Sequence, residues 1–297
     1  MTTRRRLDAE LVRRGLVPSR ERARAEIEAG RVTVGGAPAD KPSRLVGSGE
    51  ALVVHGPPPR FVSRAGVKLD AAVERFGLGP LIAGARVLDC GASTGGFTDC
   101  ALQHGAARVV AVDVGHGQLH ERLRADPRVR NLERTNLRQL DRSEVGEPAD
   151  VVVGDLSFIS LRLVLDPVFA AAVPGAPFAL LVKPQFEAGR AEVAPGRGVV
   201  TDPEVWRRVL DEVTGALVER GATMMGAMAS PITGSDGNVE FVVVGRAPAP
   251  GAAPEPLGAM APLGPVGRAA ALDAAVAEAT ATRAALDRGS PGAEPLP

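Results

Sequence analysis

Hydrophobic and polar positions divide the chain into three regions. In residues 1–60, Leu7, Leu11 and Val12 of "RLDAELVRRG" share one helical face, which predicts a short amphipathic helix. A second helix is predicted from Ser19 as N-cap to a stop at Gly30. "RVTVGGAPADKPSRLV" then reads as a strand, a Gly-Gly turn and a second strand, and "GPPPR" (56–60) as a stiff linker. In residues 61–246 buried-strand patterns alternate with helical ones. "ARVLDCG", "ARVVAVDVG", "ADVVVGDLSF", "FALLVKPQF" and "VEFVVVGR" are the strand-like runs, and "DPEVWRRVLDEVTGALVERG" is a long amphipathic helix with an acidic start. This predicts an α/β fold with an open, mostly parallel, Rossmann-like sheet, behind a small N-terminal α+β domain. Residues 247–297 are rich in Pro, Ala and Gly and are expected to be a low-complexity, disordered tail with room for one Ala-rich helix.

Charge sharpens this division. The net charge is zero, but residues 1–60 hold 12 basic against 7 acidic residues and the rest 23 against 28. A basic front on an acidic body suits a polyanion-binding module joined to something else. Arg20, Arg22 and Arg24 crowd the start of the second helix, where the helix dipole favours acids; a docked phosphate would explain them. Arg4, Arg6, Arg20, Arg22 and Lys41 are the candidate contacts to such a polyanion. The two cysteines, Cys90 and Cys100, lack metal or redox spacing, so no metal is expected. No run is apolar enough to span a membrane, and the basic start lacks the apolar segment of a signal peptide. A cytoplasmic protein is expected, with no membrane partner and no obligate protein partner.

The loop "LDCGASTGGFTD" follows the first strand of the sheet and opens a helix. Its pattern, Asp89-x-Gly91-x-x-x-Gly95-Gly96, is not the G-x-G-x-x-G of dinucleotide enzymes. It resembles the loop of S-adenosylmethionine-dependent methyltransferases, where glycines admit the ligand and backbone N–H groups meet its carboxylate. Gly91, Ala92, Ser93, Thr94, Gly95 and Gly96 are the candidate cofactor loop. Asp113, 22 residues beyond Gly91, stands where such sheets set an acid against ribose hydroxyls. Asn136 is a candidate adenine neighbour, or a loop cap.

Lysine is scarce: of 35 basic residues only Lys41, Lys68 and Lys183 are lysines. Arg stays protonated, whereas Lys can take part in proton chemistry, so a lysine ending an apolar strand invites a catalytic reading. Lys68 lies on the helix before the first strand, Asp155 ends the fourth strand, Lys183 ends the fifth and Glu240 opens the last. A base-amino methyltransferase would carry an N/D-P-P-Y-like motif where this chain has "GDLSF", and a carbon-five enzyme a cysteine there. Neither is present, which leaves the four charged groups.

Residues 4–54 resemble the RNA-binding domain shared by ribosomal protein S-four, pseudouridine synthases and tyrosyl-tRNA synthetases. The second region resembles FtsJ-type ribose 2′-O-methyltransferases, which carry a Lys-Asp-Lys-Glu tetrad in this order. Together, "RFVSRAGVKL", "VLDCGASTGGFTDCAL", "GDLSFISL", "LVKPQFE" and "GNVEF" resemble the TlyA, or hemolysin A, family. Phe61 stands where some members carry Trp, and the long tail also departs from the family. The resemblance implies 2′-O-methylation of cytidine in small-subunit (16S) and, in one subtype, large-subunit (23S) rRNA. Assembled ribosomal subunits would be the partner, S-adenosylmethionine the cofactor, and Lys68, Asp155, Lys183 and Glu240 the catalytic residues. Lysine at its ordinary pKa of about 10.4 is a poor base at neutral pH. Left charged, it can still hold a hydroxyl and stabilise developing oxyanion charge. The residues leave both roles open for Lys183. The competing expectations are a membrane-active hemolysin, a non-catalytic ribosome assembly factor and another kind of RNA-modifying enzyme.

Overall fold

The computed structural model describes residues 4–289 apart from Pro18, Ala29, Pro57, Pro58, Ala194, Pro195, Arg197 and Pro254. The chain divides into two compact units, Met1–Arg60 and Phe61–Pro297. The proline linker expected at 56–60 falls largely on Pro57 and Pro58, outside the described residues.

In the first unit the helices Leu7–Arg13 and Arg20–Glu28 bury Leu7, Leu11, Ala23 and Ile27 against Val32, Val34, Val46 and Leu52. Ser19 caps the second helix, its Oγ accepting the Arg22 N–H at 3.1 Å. Val32–Val34 pairs antiparallel with Ala37–Pro38 and with Leu52–Val54, while Arg5–Arg6 pairs with Leu45–Val46. Gly35 and Gly36, at φ +60° and +84°, make the hairpin turn, a conformation that disfavours a Cβ.

The second unit is built on a seven-stranded sheet, its elements numbered here within that unit. The strands are β1 (Arg86–Cys90), β2 (Arg108–Val112), β3 (Val129–Leu132), β4 (Val151–Gly154), β5 (Pro177–Val182), β6 (Thr223–Ala229) and β7 (Phe241–Arg246). Their spatial order is β6-β7-β5-β4-β1-β2-β3. β1 to β5 are parallel; β7 inserts antiparallel between β5 and β6. Alternate side chains feed two cores, one on each face: Leu88, Val152 and Leu180 on one, Val87, Val151, Val153 and Leu181 on the other. Helices α1 (Ala65–Phe76) and α2 (Gly96–Gln103) pack on the second face, and α3 (Pro203–Glu219) on the first. The Asp202 carboxylate caps α3 by accepting the Glu204 N–H at 2.9 Å. Trp206 of α3 is buried, its indole N–H donating to the Val200 carbonyl at 3.0 Å.

Two expectations need correction. No strand was read over Thr223–Ala229, yet it forms β6. Its small, weakly strand-forming residues hide it. Gly226 is required there because a Cβ would meet the Phe76 ring at 2.6 Å, and the strand shifts register between Met224 and Gly226. The tail is also not a disordered segment throughout. Residues Pro265–Gly289 form a helix, α4, which buries Leu272, Ala275 and Ala279. Arg207 pairs with Asp273 at 2.6 Å, Arg75 with Glu278 at 2.5 Å, and the Glu278 carboxylate accepts the Ala229 N–H of β6 at 3.2 Å. The one Ala-rich helix expected in the tail is α4, but it does not stand alone: its apolar stripe covers an outer strand. Residues 290–297 lie outside the described residues.

Candidate active site

The carboxyl ends of β1, β4 and β5 lie side by side, so the loops leaving them meet. Gly91 follows β1 at φ +83°, and a Cβ there would fall 2.8 Å from the Asp155 carbonyl oxygen. Only glycine lets the loop after β1 lie against the loop after β4. Gly96 is equally constrained, since its Cβ would fall 2.8 Å from the Gly66 nitrogen at the start of α1. Gly95, at φ +96°, faces the Leu123 side chain. These glycines thus bring the candidate cofactor loop, Asp155 and the helix bearing Lys68 together.

Lys68, Asp155, Lys183 and Glu240 converge from α1 and the ends of β4 and β5 and the start of β7. Lys68 bonds directly to Glu240 and lies 3.7 Å from Asp155 Oδ2. Lys183 Nζ is 2.6 Å from Asp155 Oδ1 and 4.0 Å from Glu240 Oε1. The Lys183–Asp155 contact is an ion pair rather than an aligned hydrogen bond; Lys183 donates instead to Ser157 Oγ at 2.8 Å. Two cations and two anions, nearly all removed from solvent, offset one another. Removing one partner from such a group characteristically costs about 3–5 kcal/mol, because the opposite charge stays buried.

On the cofactor side, Ser93 and Thr94 are exposed at the turn while Gly91–Gly96 form its backbone. Asp113 accepts the Ser93 N–H at 2.8 Å and the Gly115 N–H at 2.7 Å. Each of its oxygens keeps a second lone pair for a hydroxyl. Asn136 Oδ1 accepts the Arg138 N–H at 3.1 Å, which is the loop-capping role. Asp89 is fully buried at the end of β1: Oδ2 accepts the Thr98 hydroxyl at 2.6 Å, while Oδ1 has no partner among the described residues. Burial, with the charge of Asp155 adding to it, pushes its pKa up to about 7. A buried carboxylate oxygen without a donor, beside a glycine loop and a second acid, fits a cationic ligand with hydroxyl and amino donors. The donor set therefore suits S-adenosylmethionine.

Several residues of this site escaped the sequence reading. Phe158 is 90% exposed and holds φ +64°, a left-handed backbone uncommon outside glycine. Its ring centroid is 5.1 Å from that of Phe186, which in turn faces Lys183 Nζ at 5.9 Å. The chain has eight Phe, one Trp and no Tyr, so two Phe in "GDLSF" and "KPQFE" were an available signal. Ser157 and Glu187, in the same strings, were also missed.

In the first unit the candidate RNA contacts separate. Arg6 and Arg20 each bond to buried Asp8 at 3.1 Å, with Arg24 3.6 Å from it, and all three arginines remain exposed. Burial would raise the Asp8 pKa, but the hydrogen bonds from Arg6 and Arg20 hold it at about 2. Arg22 is turned to Glu26 and only partly exposed. Arg4 and Lys41 are exposed. Cys100 is buried within 4.8 Å of ligand atoms of Asp70 on α1 and His104 at the end of α2, and Cys90 is buried in β1.

Residues 61–247 match the FtsJ-like methyltransferase family and residues 5–52 match the S4 domain. The chain is 50% identical over 242 residues to the 16S/23S rRNA (cytidine-2′-O)-methyltransferase TlyA of Mycobacterium tuberculosis, covering 81% of this chain and 89% of that one. It is 36% identical over 239 residues to Hemolysin A of Brachyspira hyodysenteriae, covering 80% and 98%. A solved structure from Streptococcus thermophilus described as a hemolysin aligns with a TM-score of 0.72 at 34% identity, covering 97% of this chain and 100% of that one. With an S4 domain ahead of an FtsJ-like sheet and 50% identity to a TlyA protein over 242 residues, the chain belongs to the TlyA family of rRNA methyltransferases.

Proposed function

We propose that this chain is an rRNA (cytidine-2′-O)-methyltransferase that uses S-adenosylmethionine and acts on assembled ribosomal subunits in the cytoplasm. The small subunit (16S) is the expected substrate, and modification of the large subunit (23S) as well would mark the two-substrate subtype. The observation that carries this reading is the convergence of Lys68, Asp155, Lys183 and Glu240 beside the glycine loop. When bound, S-adenosylmethionine supplies an electrophilic methyl group. The Gly91, Ala92 and Gly95 N–H groups are bonded to backbone carbonyls and that of Ser93 to Asp113, so Thr94 and Gly96 would offer the N–H groups that meet its carboxylate, and Asp113 would take its ribose hydroxyls. Lys183, steered by Asp155 and Ser157, would hold the target 2′-hydroxyl and stabilise the charge that develops on its oxygen, the hydroxyl proton passing to solvent water. Glu240 and Lys68 fix the ribose. Phe158 and Phe186 offer an aromatic face on which an unstacked base can rest. Arg4, Arg6, Arg20 and Lys41 grip phosphates, with Arg22 as a weaker member.

The test is transfer of labelled methyl groups from S-adenosylmethionine to purified small and large subunits, followed by alkaline hydrolysis. Alkaline cleavage needs a free 2′-hydroxyl. Label in alkali-resistant dinucleotides supports ribose methylation; label in mononucleotides would assign the base instead and overturn the tetrad roles. No label on either subunit would favour a non-catalytic assembly factor. For the hemolysin reading, no helix among the described residues is long and apolar enough to cross a membrane. Leakage of liposomes by the purified protein would revive it.

A further inference from the structure

We infer that Glu187 is a positioning residue that pins the loop after β4 to the loop after β5, and so holds Ser157 and Phe158 in place. The inference rests on the proposed methyl transfer for its kinetic consequence but not for its geometry.

Glu187 stands four residues after Lys183, at the end of the single helical turn Pro184–Glu187. It is buried, and its carboxylate points at the other loop rather than at the tetrad. Oε1 accepts the Leu161 N–H at 2.5 Å and Oε2 accepts the Ser160 hydroxyl at 2.6 Å. Arg162 Nε lies 3.3 Å from Oε2, and the Arg162 guanidinium also donates to the Glu187 carbonyl at 3.3 Å. Three consecutive residues, 160 to 162, are thus gathered by one side chain.

What these bonds restrain is short. The loop after β4 is fixed at its start, where the Asp155 N–H donates to the Cys90 carbonyl at 3.0 Å. Its far end is fixed by Glu187. Between the anchors lie Ser157, which takes the Lys183 hydrogen bond, and Phe158, which holds a left-handed backbone while exposed to solvent. An exposed residue gains little burial to offset such a conformation. The anchors on either side must therefore impose it. Because Glu187 and Lys183 share one turn, the pin also sets the distance between Lys183 and the Ser157 hydroxyl.

The test uses full-length protein and three variants: Glu187→Ala, Glu187→Gln and Ser160→Ala. Gln keeps an acceptor for the Leu161 N–H; Ala removes it. Hydrogen exchange of the 155–163 segment reads the pin without any reaction. Glu187→Ala should raise exchange there at least tenfold while the strands of the sheet stay protected, and Gln should restore most of the protection. With small subunits as substrate, Glu187→Ala should lower kcat about tenfold or more and leave the S-adenosylmethionine Kd within twofold; Ser160→Ala should fall between it and wild type. Unchanged exchange in the 155–163 segment, or exchange rising equally across the sheet, would overturn the inference. If Glu187→Ala does not fold, unaltered exchange in folded Ser160→Ala overturns it by itself. Local loosening in a wild-type background that transfers no methyl group would sustain the pin and defeat only the proposed function.

Discussion

Lys183 Nζ sits 2.6 Å from Asp155 Oδ1, yet it donates its hydrogen bond to Ser157, two residues further along the same loop. One loop therefore supplies the lysine with both a counter-charge and a direction. A guanidinium cannot satisfy both in that space, since it is a planar fork fixed in its protonated state. Lys183→Arg should reduce methyl transfer at least a hundredfold while subunit binding stays within a fewfold of wild type. Single-turnover transfer and a filter-binding assay on the same preparation separate the two.

Phe158 is so exposed that removing its ring should leave stability almost unchanged. Stacking a base on an aromatic side chain contributes about 1–3 kcal/mol. Phe158→Ala should therefore lower kcat/KM for subunits roughly fivefold to a hundredfold, with thermal unfolding within a degree or two of wild type. An unaltered kcat/KM would remove the ring from substrate recognition.

Asp89 gives a pH prediction with a definite sign. Its folded pKa, pushed up to about 7, exceeds the ordinary value of 3.8. The folded protein resists ionising this group, so stability falls as pH rises from 3.8 to about 7, and the penalty is complete above that. Asp89→Asn keeps an acceptor for the Thr98 hydroxyl and carries no charge. It should raise the Tm of the ligand-free protein by several degrees near pH 8, on the order of a few kcal/mol. The gain should vanish near pH 4. The same variant should bind S-adenosylmethionine less tightly, which calorimetry near pH 8 measures.

Leu272 discriminates between a packed tail and a dispensable one. It is buried on α4 against the first face of the sheet. Leu272→Ala should cost about 2–5 kcal/mol, as buried Leu truncations do. Denaturant unfolding checks this; a midpoint equal to wild type would mean that α4 contributes nothing to stability.

The α/β pattern of the second unit was legible because β1, β2, β4 and β5 are short runs dominated by Val, Leu and Ala, most of them buried. The charged quartet was legible because lysine is scarce and each member sits at a strand end or on a neighbouring helix. β6 was not legible, since Gly226 and three methionines carry no strand signature. α4 was legible as an Ala-rich helix, but its packing against the sheet was not, because Leu272, Ala275 and Ala279 make a narrow apolar stripe in an Ala-rich segment. Glu187 could not have been read at all: its partners Ser160 and Leu161 lie 27 and 26 positions away, and only the adjacency of β4 and β5 brings them near. Arg22 shows what the pattern could not give, for its pairing with Glu26, four residues on, leaves it less exposed than Arg20 and Arg24.

The economy of lysine has a further consequence for reagents. Apart from its amino terminus, the protein carries three primary amines, of which Lys68 and Lys183 share the tetrad and Lys41 stands exposed on the other unit. An amine-directed covalent probe small enough to enter beside Phe158 has almost no competing nucleophile of its own kind. Mass spectrometry of the modified chain then reads access to the two buried ammonium groups, one peptide each, against Lys41 as an internal standard.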